Sequence, residues 1–206
     1  MLENRKQVEP LRDSFQIVIR NMPFRELPPN KEGWKYKSEI NNQKGEMELI
    51  QEFSKNFHKH KGKIIDVSNI LEKELEQIIL KAKRQMKIPL KYDNFRNFTK
   101  NFTFFDKYQD FRTITKDKSF PIKKEYKQLR KDILRVISIR NKYTHGELVY
   151  DGSLKKFFIE YEEDGKTEAE VSDDILKKEV GFICNTSVPL REIAKEFDIL
   201  ISKEKN

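Results

Sequence analysis

The sequence predicts a mainly α-helical fold, a helical bundle with an inserted β-hairpin and an irregular N-terminal arm. Over most of the chain, apolar residues recur at steps of three and four, the spacing of one face of a helix. At about 154–171 they alternate instead, on both sides of the turn dipeptide Asp164-Gly165. Several prolines interrupt the beginning of the chain. The predicted organisation is therefore an arm at 1–45 and a helical domain at 46–206.

The first two helical stretches of the domain lie before residue 110. One is predicted to begin at Glu46 and to end before Pro89, as a single helix or as two helices on either side of Gly62. The next, from about 95 to 108, carries phenylalanines on one stripe. Such a stripe is more typical of a packed core than of a surface that stacks RNA bases.

The third helix has the most regular apolar face. It is predicted to start at Pro121, since proline suits the first turn of a helix. The face comprises Tyr126, Leu129, Ile133, Val136 and Ile137. Arg140 falls on the same face, three residues after Ile137, so its charge needs a partner in the core or at an interface. Gly146 is the expected C-terminal cap.

Two further helices are predicted after the hairpin. Asp173 is expected to cap a helix that runs through Ile183, because aspartate is favoured at the N-cap. A break at 185–189, which ends in a proline, should separate that helix from a last one over 190–201.

Composition favours a polyanionic partner. Of the 206 residues, 37% are charged, and the formal net charge is +8. Nucleic acid is the usual partner of such a basic chain, although a simply lysine-rich soluble protein has the same composition. One cysteine excludes an internal disulfide framework. The charged start of the chain and the lack of an apolar run of about 20 residues predict a cytoplasmic protein without a membrane segment.

The run Arg140-Asn141-Lys142-Tyr143-Thr144-His145 carries the chemistry. A guanidinium can neutralise a phosphate that gains charge in a transition state, and an imidazole moves protons near neutral pH. Asn141 can orient the imidazole or bond the backbone. These are the groups that a metal-free enzyme needs to cleave RNA by attack of the 2′-hydroxyl, although one histidine per chain is few for two proton transfers. The structural alternative is a histidine that caps the helix and an arginine paired at the surface.

The spacing of the motif raises a geometric problem. Five helical residues turn the chain by about 500°, which leaves Arg140 and His145 about 140° apart around the helix axis. The helix must therefore end or distort before His145, or the two residues must meet across a dimer. A two-fold dimer would also supply two histidines for the two proton transfers.

Several residues are predicted to contact RNA phosphates or sugars. Lys142 and Tyr143 belong to the motif, Lys123 and Lys127 lie in a basic tract before it, and Arg96 lies in a basic segment interleaved with aromatic residues. Each tract alone is also consistent with the solvated face of a helix. Together with the motif, they favour RNA as a partner.

The sequence predicts no metal site and no cofactor. His58 and His60 are two residues apart on a helix and so face different sides of it. The sequence shows no cluster of cysteine, histidine and carboxylate residues with zinc spacing, and no glycine-rich phosphate loop.

The motif at the end of a helix resembles that of the HEPN superfamily (higher eukaryotes and prokaryotes nucleotide-binding). That family has an arginine, often followed by asparagine, and a histidine after four to six intervening residues; Arg140, Asn141 and His145 match this pattern. The resemblance covers roughly residues 46–203 in the order of helices, with the hairpin and the arm as additions. It implies a helical bundle, a homodimer and a metal-independent endoribonuclease with catalytic Arg140 and His145, supported by Asn141.

The resemblance also implies a biological setting. Many members of the family act in toxin–antitoxin or anti-phage defence, so an antitoxin or another defence-system protein is an expected partner. Two other hypotheses stay open at this point. The first is a catalytically inactive dimer of the same fold that binds RNA or nucleotides or serves as an adaptor. The second is a helical protein-interaction module without a nucleic-acid role.

Overall fold

A computed structural model describes residues 17–20, 34–87, 102–122, 126–162 and 165–203. Over these ranges the protein is mainly helical with one small sheet, which confirms the predicted class at this level. No helix within them is both long and apolar enough to cross a bilayer. The elements in chain order are β1 (Val18–Arg20), α1 (Trp34–Gln85), α2 (Phe104–Ile114), α3 (Lys127–His145), β2 (Glu147–Asp151), β3 (Lys156–Glu162), β4 (Lys166–Val171) and α4 (Asp173–Lys203).

The described residues form two compact units. Unit 1 contains those up to Gly62 together with Lys142–Lys177. Unit 2 contains Lys63–Asn141 and the residues from Lys178 onward. The helices α1, α3 and α4 each contribute residues to both units.

The first helix is longer than predicted. It begins at Trp34, well before Glu46, and it continues without interruption through Gly62 to Gln85. The prolines near the N-terminus all precede Trp34, so none of them interferes with the helix. The prediction missed its first turns because residues 37–46 are mostly polar and show no apolar periodicity.

Unit 1 is built around a four-stranded sheet in the order β1-β2-β3-β4. The predicted hairpin is present as β3 and β4, which pair antiparallel. Gly165 in its turn has a φ of 121°, a conformation that favours glycine. The prediction missed β2, which follows α3 directly and pairs antiparallel with β3, and the parallel pairing of β1 with β2.

Aromatic side chains form much of the core of unit 1. The ring of Phe53 on α1 stacks on Phe157 of β3, with 3.9 Å between the ring centroids. The hydroxyl of Tyr150 donates a hydrogen bond of 2.5 Å to the Glu46 carboxylate. Burial, followed by this hydrogen bond, raises the pKa of Tyr150. These contacts fix α1 on one face of the sheet.

Arg20 connects β1 to the rest of the sheet. Its guanidinium donates to carboxylate oxygens of Asp151 at 3.1 Å, Glu160 at 2.9 Å and Glu168 at 2.5 Å. These three acidic residues lie on β2, β3 and β4, respectively. A strand of only three residues is thereby held to all the other strands by one side chain.

We expect Arg20→Met to lower the free energy of unfolding by about 2 kcal/mol, because it leaves half-buried carboxylates close together without a cation. Chemical denaturation, followed by circular dichroism, measures the effect. The matched control is Lys156→Met, which removes an exposed ion pair with Glu170 from the same sheet and should cost less than about 0.5 kcal/mol. Equal losses in the two variants would contradict the role given to Arg20.

Gly146 follows the last residue of α3 and is buried. Its amide donates to the carbonyl oxygen of Lys142 at 2.8 Å, the ordinary i to i−4 bond of a helix, and its φ is not in the left-handed region of a glycine cap. A Cβ atom at this position would lie 2.3 Å from the Lys142 carbonyl oxygen and 2.6 Å from side-chain atoms of Ile159. Glycine is therefore required here by the close approach of backbone and sheet.

We expect Gly146→Ala to destabilise the protein by about 2–3 kcal/mol, since a backbone oxygen cannot move aside as a flexible side chain can. Gly62→Ala is the matched control. That glycine is an exposed interior position of α1 with no neighbour within 4 Å of an added Cβ, so alanine should stabilise the protein by up to about 1 kcal/mol. Urea denaturation of both variants tests the assignment, and a neutral effect of Gly146→Ala would contradict it.

The helix ends in unit 2 differ from the predictions. α2 begins at Phe104, where Thr103 and Asp106 form a reciprocal capping box; the part of the predicted stretch from about 95 to 101 lies outside the described residues. α3 begins at Lys127 and not at Pro121, because the segment before it buries Phe120 in a non-helical conformation. Residues 88–101 lie outside the described ranges.

The last helix is continuous, so the predicted break at 185–189 is wrong. α4 runs from Asp173 to Lys203 with Pro189 inside it. A proline removes one hydrogen bond of the helix, but Ile183, Leu190 and Ile193 around it are buried, and this apolar face stabilises the helix. At its start, the Ser172 hydroxyl accepts from the Ile175 amide, so Ser172 rather than Asp173 is the N-cap.

Candidate functional site

The whole run from Arg140 to His145 is helical. α3 ends at His145, so the helix does not end before the histidine as one of the two predicted arrangements requires. In a regular helix, side chains five residues apart point about 140° apart. A single copy of α3 therefore does not present Arg140 and His145 on one face.

Arg140 has the partner that its position on an apolar face predicts. Its Nη2 atom lies 3.7 Å from a carboxylate oxygen of Glu72 and 3.4 Å from the side-chain oxygen of Asn69. Its guanidinium carbon lies 5.8 Å from the ring centroid of Phe104. The side chain is 30% exposed. Its Nε atom is buried and has no hydrogen-bond partner among the described residues, so the guanidinium retains donor capacity.

A buried lysine lies behind this pair. The Lys107 ammonium donates at 2.8 Å to Glu72 and at 2.8 Å to Glu76. Burial opposes the charge of Lys107, but the hydrogen bonds from these two glutamates keep its pKa above the usual value. Glu72 thus shares its carboxylate between two cations, and the shorter contact is with Lys107.

His145 is exposed at the end of its helix. The other two histidines differ from it, because each places Nδ1 against a backbone carbonyl four residues earlier in α1. The distance is 2.7 Å from His58 to the oxygen of Ser54 and 3.0 Å from His60 to that of Asn56. Of the three histidines, His145 is the most exposed by class, since His58 and His60 are only partly exposed.

Lys61 lies close to the end of α3 and was not predicted as a site residue. Its ammonium lies 3.3 Å from the carbonyl oxygen of Gly146, the residue after His145. Burial lowers its pKa. Nothing distinguishes Lys61 from the other lysines of its basic segment in the sequence, so no signal was available to find it.

The remaining predicted site residues have different positions. Asn141 is exposed on α3, and Lys127 is exposed at its start. Lys142 places its ammonium 4.7 Å from the ring centroid of Tyr143. Arg96 and Lys123 lie outside the described residues.

Tyr143 requires a correction, because it was expected to contact RNA. Its side chain is 0% exposed, and its ring lies 5.9 Å from that of Phe57 in the core of unit 1. Its neighbours Lys142 and Thr144 are partly or fully exposed, because successive residues of a helix point to different sides of it. Its aromatic ring serves packing.

The sequence reasoning also missed Asn69, Glu72 and Lys107. One signal for Lys107 was present. It lies three residues after Phe104 and four before Phe111, both of them buried, so it is a charge on an apolar helical face just as Arg140 is. Such a charge implies a buried ion pair. The partner on α1 could not be identified from the spacing.

The chain was compared with families, curated proteins and solved structures. No family model matches the chain, and no curated protein or solved structure matches it significantly.

Proposed function

We propose that this protein is a metal-independent endoribonuclease of the HEPN type, in which Arg140 of one copy and His145 of a second copy act on the same RNA phosphodiester. The observation that carries the proposal is the state of Arg140. Its guanidinium is partly exposed, and the contacts of its Nη2 atom with Asn69 at 3.4 Å and Glu72 at 3.7 Å are long, so protein acceptors hold it only weakly. A phosphate oxygen is the acceptor that such a fork of donors fits.

The reaction follows from the residue types. The 2′-hydroxyl oxygen of RNA attacks the adjacent phosphorus, the new P–O2′ bond forms, and the P–O5′ bond breaks. His145 removes the 2′-proton or protonates the leaving 5′-oxygen, and solvent water makes the other proton transfer. Arg140 neutralises the charge that accumulates on the phosphorane. The products are a 2′,3′-cyclic phosphate and a 5′-hydroxyl, and no redox partner or cofactor is needed.

The second copy is supported by the geometry of α3. Its exposed side carries Leu134, Ser138 and Asn141 at steps of four and three, and Leu134 is 43% exposed. A two-fold contact along this stripe would bury an otherwise exposed apolar side chain. The biological role that the resemblance implies, in toxin–antitoxin or anti-phage defence with a partner protein, belongs to the same proposal.

The test is cleavage of a labelled single-stranded RNA by the purified protein in excess EDTA. The proposal predicts cleavage under these conditions and products that end in a 2′,3′-cyclic phosphate. Phosphatase treatment before and after mild acid distinguishes the cyclic end from a 3′-phosphate. Cleavage that EDTA abolishes, or products with 3′-hydroxyl ends, would refute the proposed chemistry.

One observation favours a second candidate, an inactive RNA-binding dimer. Glu72 lies near enough to Arg140 to make the arginine a structural ion pair, as the structural alternative for this motif requires. This candidate predicts salt-dependent RNA binding without cleavage. It also predicts that Arg140→Ala lowers stability and leaves the affinity for RNA unchanged.

A further inference from the structure

Four charged side chains of unit 2 form one connected cluster. Two are the cations Lys107 and Arg140, and two are the carboxylates of Glu72 and Glu76. The side chains of Lys107 and Glu76 are 5% exposed, whereas that of Arg140 is 30% exposed. The formal charges of the four side chains sum to zero, so the cluster needs no counter-ion.

The two cations of the cluster lie at unequal distances from Glu72. One carboxylate oxygen of Glu72 lies 2.8 Å from the Lys107 ammonium, the distance of a short charge-assisted hydrogen bond. The other oxygen lies 3.7 Å from Nη2 of Arg140, beyond the length of a normal hydrogen bond. Lys107 therefore has the stronger hold on the carboxylate that faces the arginine.

We infer that Lys107 is a positioning residue for Arg140: by holding the Glu72 carboxylate, it keeps the guanidinium oriented but available to a phosphate. The inference rests on the proposed function, because it assigns Arg140 to the phosphate. Lys107 acts only through Glu72, since it is buried and does not reach solvent.

The physical reason is competition for one carboxylate. Without the lysine, Glu72 would keep a full charge beside Arg140, and the two would close into a short, two-pronged pair. A phosphate would then have to displace that carboxylate before it could bind. With the lysine, much of the charge of Glu72 is already satisfied, and the pair stays open.

The helix α2 places the lysine and another contact of Arg140 together. Phe104 and Lys107 are three residues apart on this helix, so they lie on one face of it. Phe104 meets the guanidinium, while Lys107 meets Glu72. One element thus fixes both the surface beneath the arginine and the charge of its acidic neighbour.

The test uses two variants, neither of which leaves Lys107 or Glu76 as an unpaired buried charge. The variant Lys107→Met with Glu76→Gln removes one positive and one negative charge, and it leaves Glu72 with Arg140 alone. The second variant adds Glu72→Gln, which removes the competing carboxylate. Both are assayed for kcat and KM on the same labelled RNA, and both are checked for folding by circular dichroism.

We expect the first variant to lose about tenfold or more in kcat/KM, because the arginine is captured by Glu72. The second variant should recover activity to within about threefold of the wild type. If Lys107 had only a structural role, removing Glu72 as well would not be expected to restore activity. If the triple variant is as impaired as the double variant while both are folded, the inference is wrong.

A matched control joins the same two helices. Lys83 on α1 and Asp110 on α2 form an ion pair of 2.5 Å. The variant Lys83→Met with Asp110→Asn removes this pair and leaves all four residues of the cluster unchanged, so it should retain cleavage within about twofold. A loss equal to that of the Lys107 variant would show that helix attachment alone explains the effect, and would overturn the inference.

A second readout does not depend on cleavage. Arg140→Ala is introduced into the wild type and into the Lys107→Met, Glu76→Gln background, and the unfolding equilibrium constant is measured in each. The substitution should raise that constant about tenfold more in the variant background, where Glu72 depends on the arginine. Equal effects would overturn the inference even if the RNase activity is real. If the wild type does not cleave RNA but the difference between the two backgrounds is observed, the proposed function is rejected and the role of Lys107 is not.

Discussion

His145→Ala should lower the rate of RNA cleavage by about 10³-fold, because a positioned general acid or base contributes roughly 10²–10⁴-fold. His145 is exposed at the end of α3, so its removal should leave the stability and the affinity for RNA nearly unchanged. Single-turnover cleavage of a labelled RNA measures the rate. Binding of the same RNA with 2′-deoxy substitution at the cleavage position measures the affinity.

The matched control for this prediction is His60→Ala. The His60 imidazole contacts a backbone carbonyl of its own helix, so its loss should not affect the rate by more than about twofold. If His60→Ala impairs cleavage as strongly as His145→Ala, the effect would be a general one of histidine replacement. If His145→Ala cleaves at the wild-type rate, the assignment of the motif fails.

The second large effect is expected at Arg140. Arg140→Ala should reduce kcat by about 10²–10³-fold, since it removes a preorganised donor from the charge that develops on the phosphate. Arg140→Lys should recover only part of this loss, because an ammonium lacks the planar fork of donors. The difference separates two-pronged phosphate recognition from a simple requirement for positive charge.

Arg135→Ala is the control on the same helix. Its guanidinium lies 4.3 Å from the ring centroid of Phe182, and the side chain is exposed. We expect a change in kcat of less than about threefold, because this arginine makes no contact with the buried cluster beneath Arg140. Full activity of Arg140→Lys would contradict the two-pronged contact, and full activity of Arg140→Ala would remove the basis of the proposed mechanism.

The sequence was informative where a local pattern decides the structure. Alternating residues around Asp164-Gly165 predicted the β3–β4 hairpin, which the structure contains. The position of Arg140 on an apolar face predicted that its charge has a partner, and Glu72 is that partner. In both cases the relevant signal lies within a few residues of the feature.

The sequence was uninformative where distant residues decide. Glu72 and Lys107 meet because α1 and α2 pack together. The spacing of apolar residues in one helix does not identify the helix that it packs against. Likewise, Arg20 of β1 contacts carboxylates on three strands that lie more than 130 residues away in the chain. Such contacts between distant parts of the chain have no local signature in one sequence.

The predicted break at Pro189 is wrong, and of the two alternatives left open at Gly62 the single helix is confirmed, for a common physical reason. Gly62 and Pro189 both weaken a helix locally, yet α1 and α4 continue through them. Buried apolar residues before and after each position supply more stability than the glycine or proline removes. A local preference is therefore a poor guide to the end of a helix whose apolar face continues beyond it.

Complementation between two inactive variants tests the central claim most directly. Arg140→Ala and His145→Ala proteins are mixed, unfolded and refolded together, and cleavage of the labelled RNA is compared with that of each variant alone. A site that combines Arg140 of one copy with His145 of the other predicts recovery to about one quarter of the wild-type rate, since about half of the dimers are mixed and each has one complete site of two. A mixture no more active than its two components would contradict the composite site.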